Sequence, residues 1–491
     1  MGHSSCLPRF SEALKSAQSQ FPNALTVFSG DAFSPSVEAA VLKGWHMVPI
    51  LNELGVDVAC YGNHDFDFGE KTAVELAAGC RFPWLMSNVV DAKGRRIADA
   101  LEYLVVELEG FKVGFFALAG TDWPANCQHL PADSRIVDPV ATAQKMIAYL
   151  RTEANVDFVI ALTHMRLPED LLVVGECPGM DLVLGGHDHE YSVTERPGWC
   201  SIVKSGSDFH DLSIVHMVVD VQDRSLVRVD VERQTNFTDP TYPSNKAMTA
   251  IISKVQAQMS TILDRALLYS EVDLDGRSAV GRTSETNLGN LLADLLRHYY
   301  QCDIAFVNSG SIRCNRVIPS GPVSVRDMFG ALPFGNVFVT KRVIGKDLLT
   351  ALENSVGDSR TDGRFLQLSG LGITVNLAYP AGQRVISAHH HPATASHPSA
   401  LDPSRVYSVA MINFIADGFD GYDSLKAAEH SVNTESGVSE NAMLMQVFAD
   451  PGSDACEQDE GARRAREALV KRTRDGLPAV APVVEGRIIF V

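Results

Sequence analysis

Four short apolar runs in the first half of the chain each end in residues of metal-binding type, and few folds accommodate that repetition. Leu25–Phe28 is followed by Gly30-Asp31, and Val56–Cys60 by Gly62-Asn63-His64-Asp65. Val156–Leu162 delivers Thr163-His164, and Met180–Leu184 delivers Gly185-Gly186-His187-Asp188-His189. Short apolar runs of this kind read as buried strands, and polar groups at their ends point outward from the carboxyl edge of a sheet, where open α/β folds build their sites. Taken alone, Asn63-His64-Asp65 is explained as well by a turn with a satisfied histidine. Four such ends are harder to account for without a shared site. The paired glycines before His187 let backbone approach closely, and His187 and His189 both reach one site if it lies in the loop's concavity. Mixed nitrogen and oxygen ligands suit zinc, manganese, iron or cobalt rather than calcium.

Between those ends strands alternate with helices. Residues 1–20 read as a loop and an amphipathic helix with Phe10, Ala13, Leu14 and Ala17 on one face. A helix is expected from Ser34–Ser36, with Glu38 in its first turn, running through Val37, Val41, Val48 and Leu51 to a stop at Gly55. Further helices are expected near Glu70–Gly79 and over Ala141–Glu153, with a strand at Trp84–Met86 and a hairpin-like pair at Leu104–Leu108 and Lys112–Leu118. This alternation implies an α/β fold with a sheet covered on both faces. A chain of 491 residues exceeds one core, so two domains are expected. Thr235–Ser244 reads as a linker, and its triplet Asn236-Phe237-Thr238 carries little weight as a glycosylation signal. A helical stretch from Lys246 to Leu268 follows, then a helix over Asn287–Tyr300 and a strand over Ile304–Val307. The boundaries expected are a first domain over 1–234, a linker and connecting helix over 235–268, and a second domain over 269–491. His389–Ala400 reads as a surface loop; its three adjacent histidines could bind a metal, although a solvated loop is the plainer account. Asp450–Glu460 reads as a solvated acidic loop, and Gly486–Val491 as a final strand.

Composition narrows the partners. A formal net charge of −18 disfavours nucleic-acid polymers and anionic membrane surfaces. A small phosphorylated ligand stays compatible where metals or a few arginines reverse the field. No apolar run reaches the length of a membrane span and no signal peptide opens the chain, so a cytoplasmic location is expected for the sequence as written. Nine cysteines with no Cys-x-x-Cys pair argue against a disulfide framework or a zinc ribbon.

The second half offers Gly281-Arg282, Val307-Asn308-Ser309-Gly310-Ser311-Ile312-Arg313, Leu332-Pro333-Phe334-Gly335 and Asn413-Phe414 with Asp417-Gly418-Phe419-Asp420-Gly421. Arginines near glycines suit a bidentate grip on phosphate, and phenylalanines in loops suit stacking on a flat ring. A core position for Phe334 and a surface position for Arg282 fit the same letters.

In their order, Gly30-Asp31, Gly62-Asn63-His64-Asp65, Thr163-His164 and Gly186-His187-Asp188-His189 resemble the two-metal calcineurin-like metallophosphoesterases. With the second half, nearly the whole chain resembles the 5′-nucleotidase family. The resemblance implies an N-terminal metallophosphoesterase α/β sandwich with mixed sheets and a second α/β (α+β) substrate-binding domain. It implies two divalent metal ions, zinc or manganese, with Asp31 bridging them, Asn63, His164 and His187 on one, and His189 on the other. Two such cations ~3.5–4 Å apart acidify a water and neutralise charge on a transferring phosphoryl group. His64 matches the histidine beside the scissile bond and Asp67 the carboxylate that orients it, a position where a helix-start carboxylate is the alternative. Arg282 and Arg313 match the phosphate-holding positions, Asn308 a base contact, Phe334 and Phe414 the pair that sandwiches the base, and Asp420 the ribose-hydroxyl acceptor.

One departure stands out. Complete members begin with a strand ending in Asp-x-His or Asp-x-Tyr, upstream of a glycine-containing stretch that Gly2–Phe10 resembles, and this sequence has no such strand. The expectation drawn is an N-terminally shortened piece of a longer protein rather than a degraded enzyme, and in that case the localisation stays open between cytoplasmic and secreted. The activity implied is hydrolysis of nucleoside 5′-monophosphates. Hydrolysis of a nucleotide diphosphate such as a UDP-sugar, or of a cyclic nucleotide, uses the same residues. Nucleotide binding without catalysis is the alternative of a different class.

Overall fold

The structure is a computed structural model that describes residues 3–127, 129–131, 133–391, 397–448 and 459–491. The chain divides into two units, Met1–Gln258 and Met259–Val491.

In the first unit Val27–Phe28, Val58–Cys60 and Trp84–Leu85 pair in parallel, in that order. A second sheet runs Tyr191–Thr194, Ser201–Ser205, Leu182–Gly185, Phe158–His164, Phe111–Ala119, Tyr103–Leu108; its four inner strands are parallel and each outermost strand is antiparallel to its neighbour. Because side chains alternate along a strand, each strand serves two cores. Val58 and Cys60 meet Phe115, Ala117, Ile160 and Leu162 between the sheets. Ala59 and Tyr61 instead pack with Leu14, Leu51 and Leu76 from helices His3–Gln20, Met47–Leu54 and Glu70–Gly79. On the far side Phe116 and Leu118 pack with Met146, Leu150 and Val173 from helices Pro139–Thr152 and Leu167–Glu176. The result is an α/β sandwich, and burial on both faces explains why the strands read as unbroken apolar runs.

The second unit is built on a mixed sheet ordered Leu366–Ser369, Ile304–Asn308, Val406–Ile412, Val337–Ile344, Glu429–Val432, with Ile304–Asn308 parallel to Val406–Ile412 and the other pairs antiparallel. The helix Asn287–Tyr300 has the predicted bounds: the Thr286 side chain accepts from Gly289 N–H, and Leu288, Leu292, Leu295 and Leu296 are buried. Ile488–Phe490 is the final strand, pairing in parallel with Leu371–Val375.

Several expectations need correction. The opening helix already begins at His3, so the expected opening loop is not seen among the described residues. The single helix expected from Ser36 to Gly55 is two, Val37–Leu42 and Met47–Leu54, because Lys43 and Gly44 both turn left-handed between them. The helix expected to run to Leu268 ends at Leu263, and Ala266–Ser270 is a strand paired with Gly321–Ser324. Its apolar residues fit either state locally, and the partner strand decides. Phe237 of the expected linker is a core residue, set edge-on to Phe10 at 5.3 Å. His389 and His390 lie in strand Val385–His390 rather than a loop, with His390 fully buried. Residues 450–458 of the acidic stretch lie outside the described residues, and Glu460 opens a helix. Among the described residues eight cysteines are free, and no helix is long and apolar enough to cross a membrane.

Candidate functional site

His164 is the last residue of its strand and Asp31 and His187 lie in loops that follow two others, yet the ligand-type atoms of the three all lie within 4.8 Å of one another. Asp31 and His187 both hold left-handed backbone conformations, with φ of 56° and 73°. Such conformations are costly for non-glycine residues and collect at functional sites. Close backbone approach makes the convergence feasible. A Cβ on Gly62 would stand 2.2 Å from Asp31 Oδ1, and one on Gly186 would stand 2.2 Å from the Ser29 carbonyl oxygen. The role read for the glycine before His187 is thereby met in space.

The ring orientations follow from second partners. His164 Nδ1 donates to the Ser29 carbonyl at 2.8 Å, which turns Nε2 toward Asp31 Oδ2 at 2.9 Å. Burial works against charge on both partners, but each stabilises the other. Asp31 is held well below the usual carboxylate range by His164 and His64, and His164 is raised by Asp31. His187 Nε2 lies 3.1 Å from Asp122 Oδ2, while its buried Nδ1 has no hydrogen-bond partner. A buried imidazole nitrogen without a partner, beside a carboxylate and a second imidazole, is the donor set a divalent cation requires.

His64 sits one layer over. Its backbone N–H donates to Asp31 Oδ1 at 2.8 Å, and its ring Nδ1 lies 3.0 Å from Asp67 Oδ2, which also accepts from Ser34 Oγ at 2.7 Å. The helix-start role weighed for Asp67 falls to Gly69, the cap residue of helix Glu70–Gly79. Asn63 is fully buried in the same turn, and its carbonyl accepts from Cys127 Sγ. Asp65 is the pin of the turn, accepting from the backbone N–H groups of Gly62, Asp31, Ala32 and Phe33 at 2.7, 3.1, 2.8 and 3.1 Å. Burial, then the charge of Asp31, pushes its carboxyl up to about 7. His189 is exposed and stands outside the Asp31–His164–His187 group. Asp31, His164, His187 and His189 all border one mainly apolar cavity of about 990 Å³, which the edge strand Val27–Phe28 also lines.

In the second unit Asn308 is buried at the end of its strand with no partner for Oδ1. Arg282 donates from a terminal nitrogen to the Thr361 carbonyl at 3.0 Å, and its buried Nε has no partner. Arg282 is therefore partly buried rather than a plain surface residue. Arg313 is exposed, its guanidinium 5.2 Å from the Phe334 ring centre. Phe334 is 57% exposed, which removes the core reading. Phe414 is half-buried and does not meet Phe334; it stacks on Phe419 at 4.9 Å and 15°. Asp420 is half-buried beside the Asp362–Arg364 ion pair; burial, then Asp362, raises its carboxyl.

Comparison with known proteins agrees with this geometry. The calcineurin-like phosphoesterase family matches residues 3–191, and the 5′-nucleotidase C-terminal domain matches residues 267–427. Human 5′-nucleotidase is 26% identical over 441 residues, taking in 82% of this chain and 76% of that protein. The chain belongs to the 5′-nucleotidase family. A trifunctional nucleotide phosphoesterase of Bacillus subtilis (strain 168) is 26% identical over 447 residues, 82% of this chain, which spans only 30% of that relative's length. The crystal structure of a 5′-nucleotidase precursor from Thermus thermophilus aligns over all of this chain and 93% of its own, with a TM-score of 0.53 and 26% identity. Within the 5′-nucleotidase family the chain is a hydrolase of phosphoric ester bonds that acts on nucleotides, and divalent metal ions belong to its chemistry.

Two residues that contact this candidate site were missed from the sequence. Asp122 follows strand Phe111–Ala119 in the string Gly120-Thr121-Asp122, which reads as a plain turn. Lys204 lies in strand Ser201–Ser205 and is 1% exposed. Its ammonium reaches the carbonyls of Met165 and Gly186, both at 2.7 Å, and the carboxylates of Asp170 and Asp188 at 2.8 and 3.0 Å. It thus ties the residue after His164 to the residue before His187. A strand-end position gave a weak signal for Asp122; nothing local marked Lys204.

Proposed function

We propose that this chain hydrolyses nucleoside 5′-monophosphates to nucleoside and phosphate at a two-cation site built on Asp31, Asn63, His164, His187 and His189. The observation that carries this reading is the convergence of Asp31, His164 and His187, with His187 Nδ1 buried and unpartnered among them. Asp31 would serve both cations, with His189 on the second. Nitrogen and oxygen donors in this proportion suit zinc or manganese. When bound, such cations acidify a water and neutralise charge on the phosphoryl group. The chain's own residues do the rest. His64, its ring fixed by Asp67, stabilises the transferring phosphoryl group or assists the leaving oxygen. Arg282 and Arg313 grip the phosphate, Asn308 contacts the base, and Asp420 accepts from the ribose hydroxyls. The unpartnered Arg282 Nε and Asn308 Oδ1 support the assignments, because buried polar atoms without partners commonly await a ligand.

Phosphate release from AMP with manganese or zinc added, against a chelated control, tests the reading. Release abolished by the chelator is expected. Tight AMP binding with no release at any metal concentration would make the chain a nucleotide-binding protein instead. UDP-sugars and cyclic nucleotides, whose hydrolysis gives nucleoside monophosphates and frees no phosphate in that step, are followed by chromatography of those products and so separate the other two alternatives. Asp122→Ala is expected to weaken metal binding by roughly 10–100-fold in a calorimetric titration, since a ligand's orienting partner matters nearly as much as the ligand. Unchanged affinity would mean that Asp122 does not orient His187 for a metal, its carboxylate also standing 3.1 Å from Arg166.

A further inference from the structure

A phenylalanine that the sequence left without a role stands at the mouth of the second unit's loop. Phe419 is 57% exposed, and its ring lies 4.9 Å from that of Phe414 at 15°, a near-parallel stack. One face of half-buried Phe414 is therefore covered, while the outer face of Phe419 meets solvent. An exposed aromatic face backed by a second parallel ring is free to stack on a flat group.

The loop is built to hold that ring. Gly418, Asp420 and Gly421 have φ of 93°, 56° and 79°, so the chain reverses around Phe419 through three left-handed residues. The Asp420 carbonyl accepts from Asn354 Nδ2 at 3.0 Å. Below it, buried Lys341 donates to the carbonyls of Ala416, Leu425 and Lys426 at 2.8, 3.0 and 3.1 Å, which ties the two ends of the loop together. A ring on such a loop loses little freedom when a ligand stacks on it.

The geometry points to Phe419 as the ring that meets the nucleobase, with Phe414 as its backing, so that Phe419 sets the preference for substrates with an aromatic base. This rests on the nucleotide reading above and amends it at one position. Stacking is indifferent to which base is offered, so the selection is for a planar base as such.

The test compares kcat/KM for AMP with that for ribose 5-phosphate, which lacks the base, in wild type, Phe419→Ala, Phe419→Trp and Phe414→Ala. Phe419→Ala is expected to lower the AMP to ribose 5-phosphate ratio by about 10-fold, chiefly through KM for AMP, and Phe419→Trp to preserve it. Phe414→Ala should lower the ratio less. An unchanged ratio in Phe419→Ala, or a tighter KM for AMP, would overturn the proposal; the second result would make Phe419 a plug over Phe414. A wild type with no preference for AMP over ribose 5-phosphate would overturn the nucleotide reading itself, and so is told apart from failure at Phe419 alone.

Discussion

Replacing His64 by asparagine is expected to lower kcat on AMP by roughly 10²–10⁴-fold while bound metal stays at the wild-type level. The geometry separates these two effects. What His64 gives the Asp31 group is its backbone N–H, at 2.8 Å from Asp31 Oδ1, and asparagine keeps that bond. The ring is engaged elsewhere: Nδ1 is fixed by Asp67 Oδ2 at 3.0 Å, and Asp67 is fixed in turn by Ser34 Oγ at 2.7 Å. Any proton that His64 gives or takes therefore passes through Nε2, which asparagine cannot replace. Asp67→Asn should show a smaller loss of the same kind, because the ring remains and only its orientation loosens. The measurement is steady-state phosphate release beside metal content by elemental analysis on the same preparation. Metal lost in proportion to activity in His64→Asn would make the imidazole a ligand and refute the assignment.

What the sequence revealed of this site depended on how local each signal was. Asp31, His164 and His187 were legible because each stands at the end of an apolar run, and sheet topology alone brings such ends together. Orienting partners were not legible, since Asp122 lies 65 positions from His187 and nothing in Gly120-Thr121-Asp122 hints at that contact. In the second half the letters located the aromatic loop but not its packing. Phe414 stacks on Phe419 only because Gly418 and Asp420 turn left-handed, a conformation that Asp adopts without announcing it in sequence. The fold shows the same division. Helix Asn287–Tyr300 carries its own cap and apolar stripe, so its bounds were readable. Ala266–Ser270 carries only an apolar run, and its state is set by pairing with Gly321–Ser324, far along the chain.

Lys204→Met should have the largest effect on stability. Lys204 and Asp170 are 1% and 0% exposed and 2.8 Å apart, so the substitution leaves a buried carboxylate without its cation. Removing one partner of a buried pair costs about 3–5 kcal/mol. For a unit of this size that lowers Tm by on the order of 10 °C. Burial already pushes Asp170 up to about 6 despite Lys204, so the carboxyl will take a proton in the variant and soften part of the loss. Replacing both members, as Lys204→Met with Asp170→Leu, should recover most of the stability, because a well-packed apolar pair often substitutes for a buried ionic one. Metal binding separates the two roles of the lysine. The ammonium also joins the Met165 and Gly186 carbonyls, one residue from His164 and His187 respectively, and no apolar pair restores those bonds. The double variant is therefore expected to fold near wild-type stability yet bind metal roughly 10–100-fold more weakly by calorimetry. Wild-type metal affinity in that variant would reduce Lys204 to a counter-ion for Asp170, and the two loops would then be held by their strands alone.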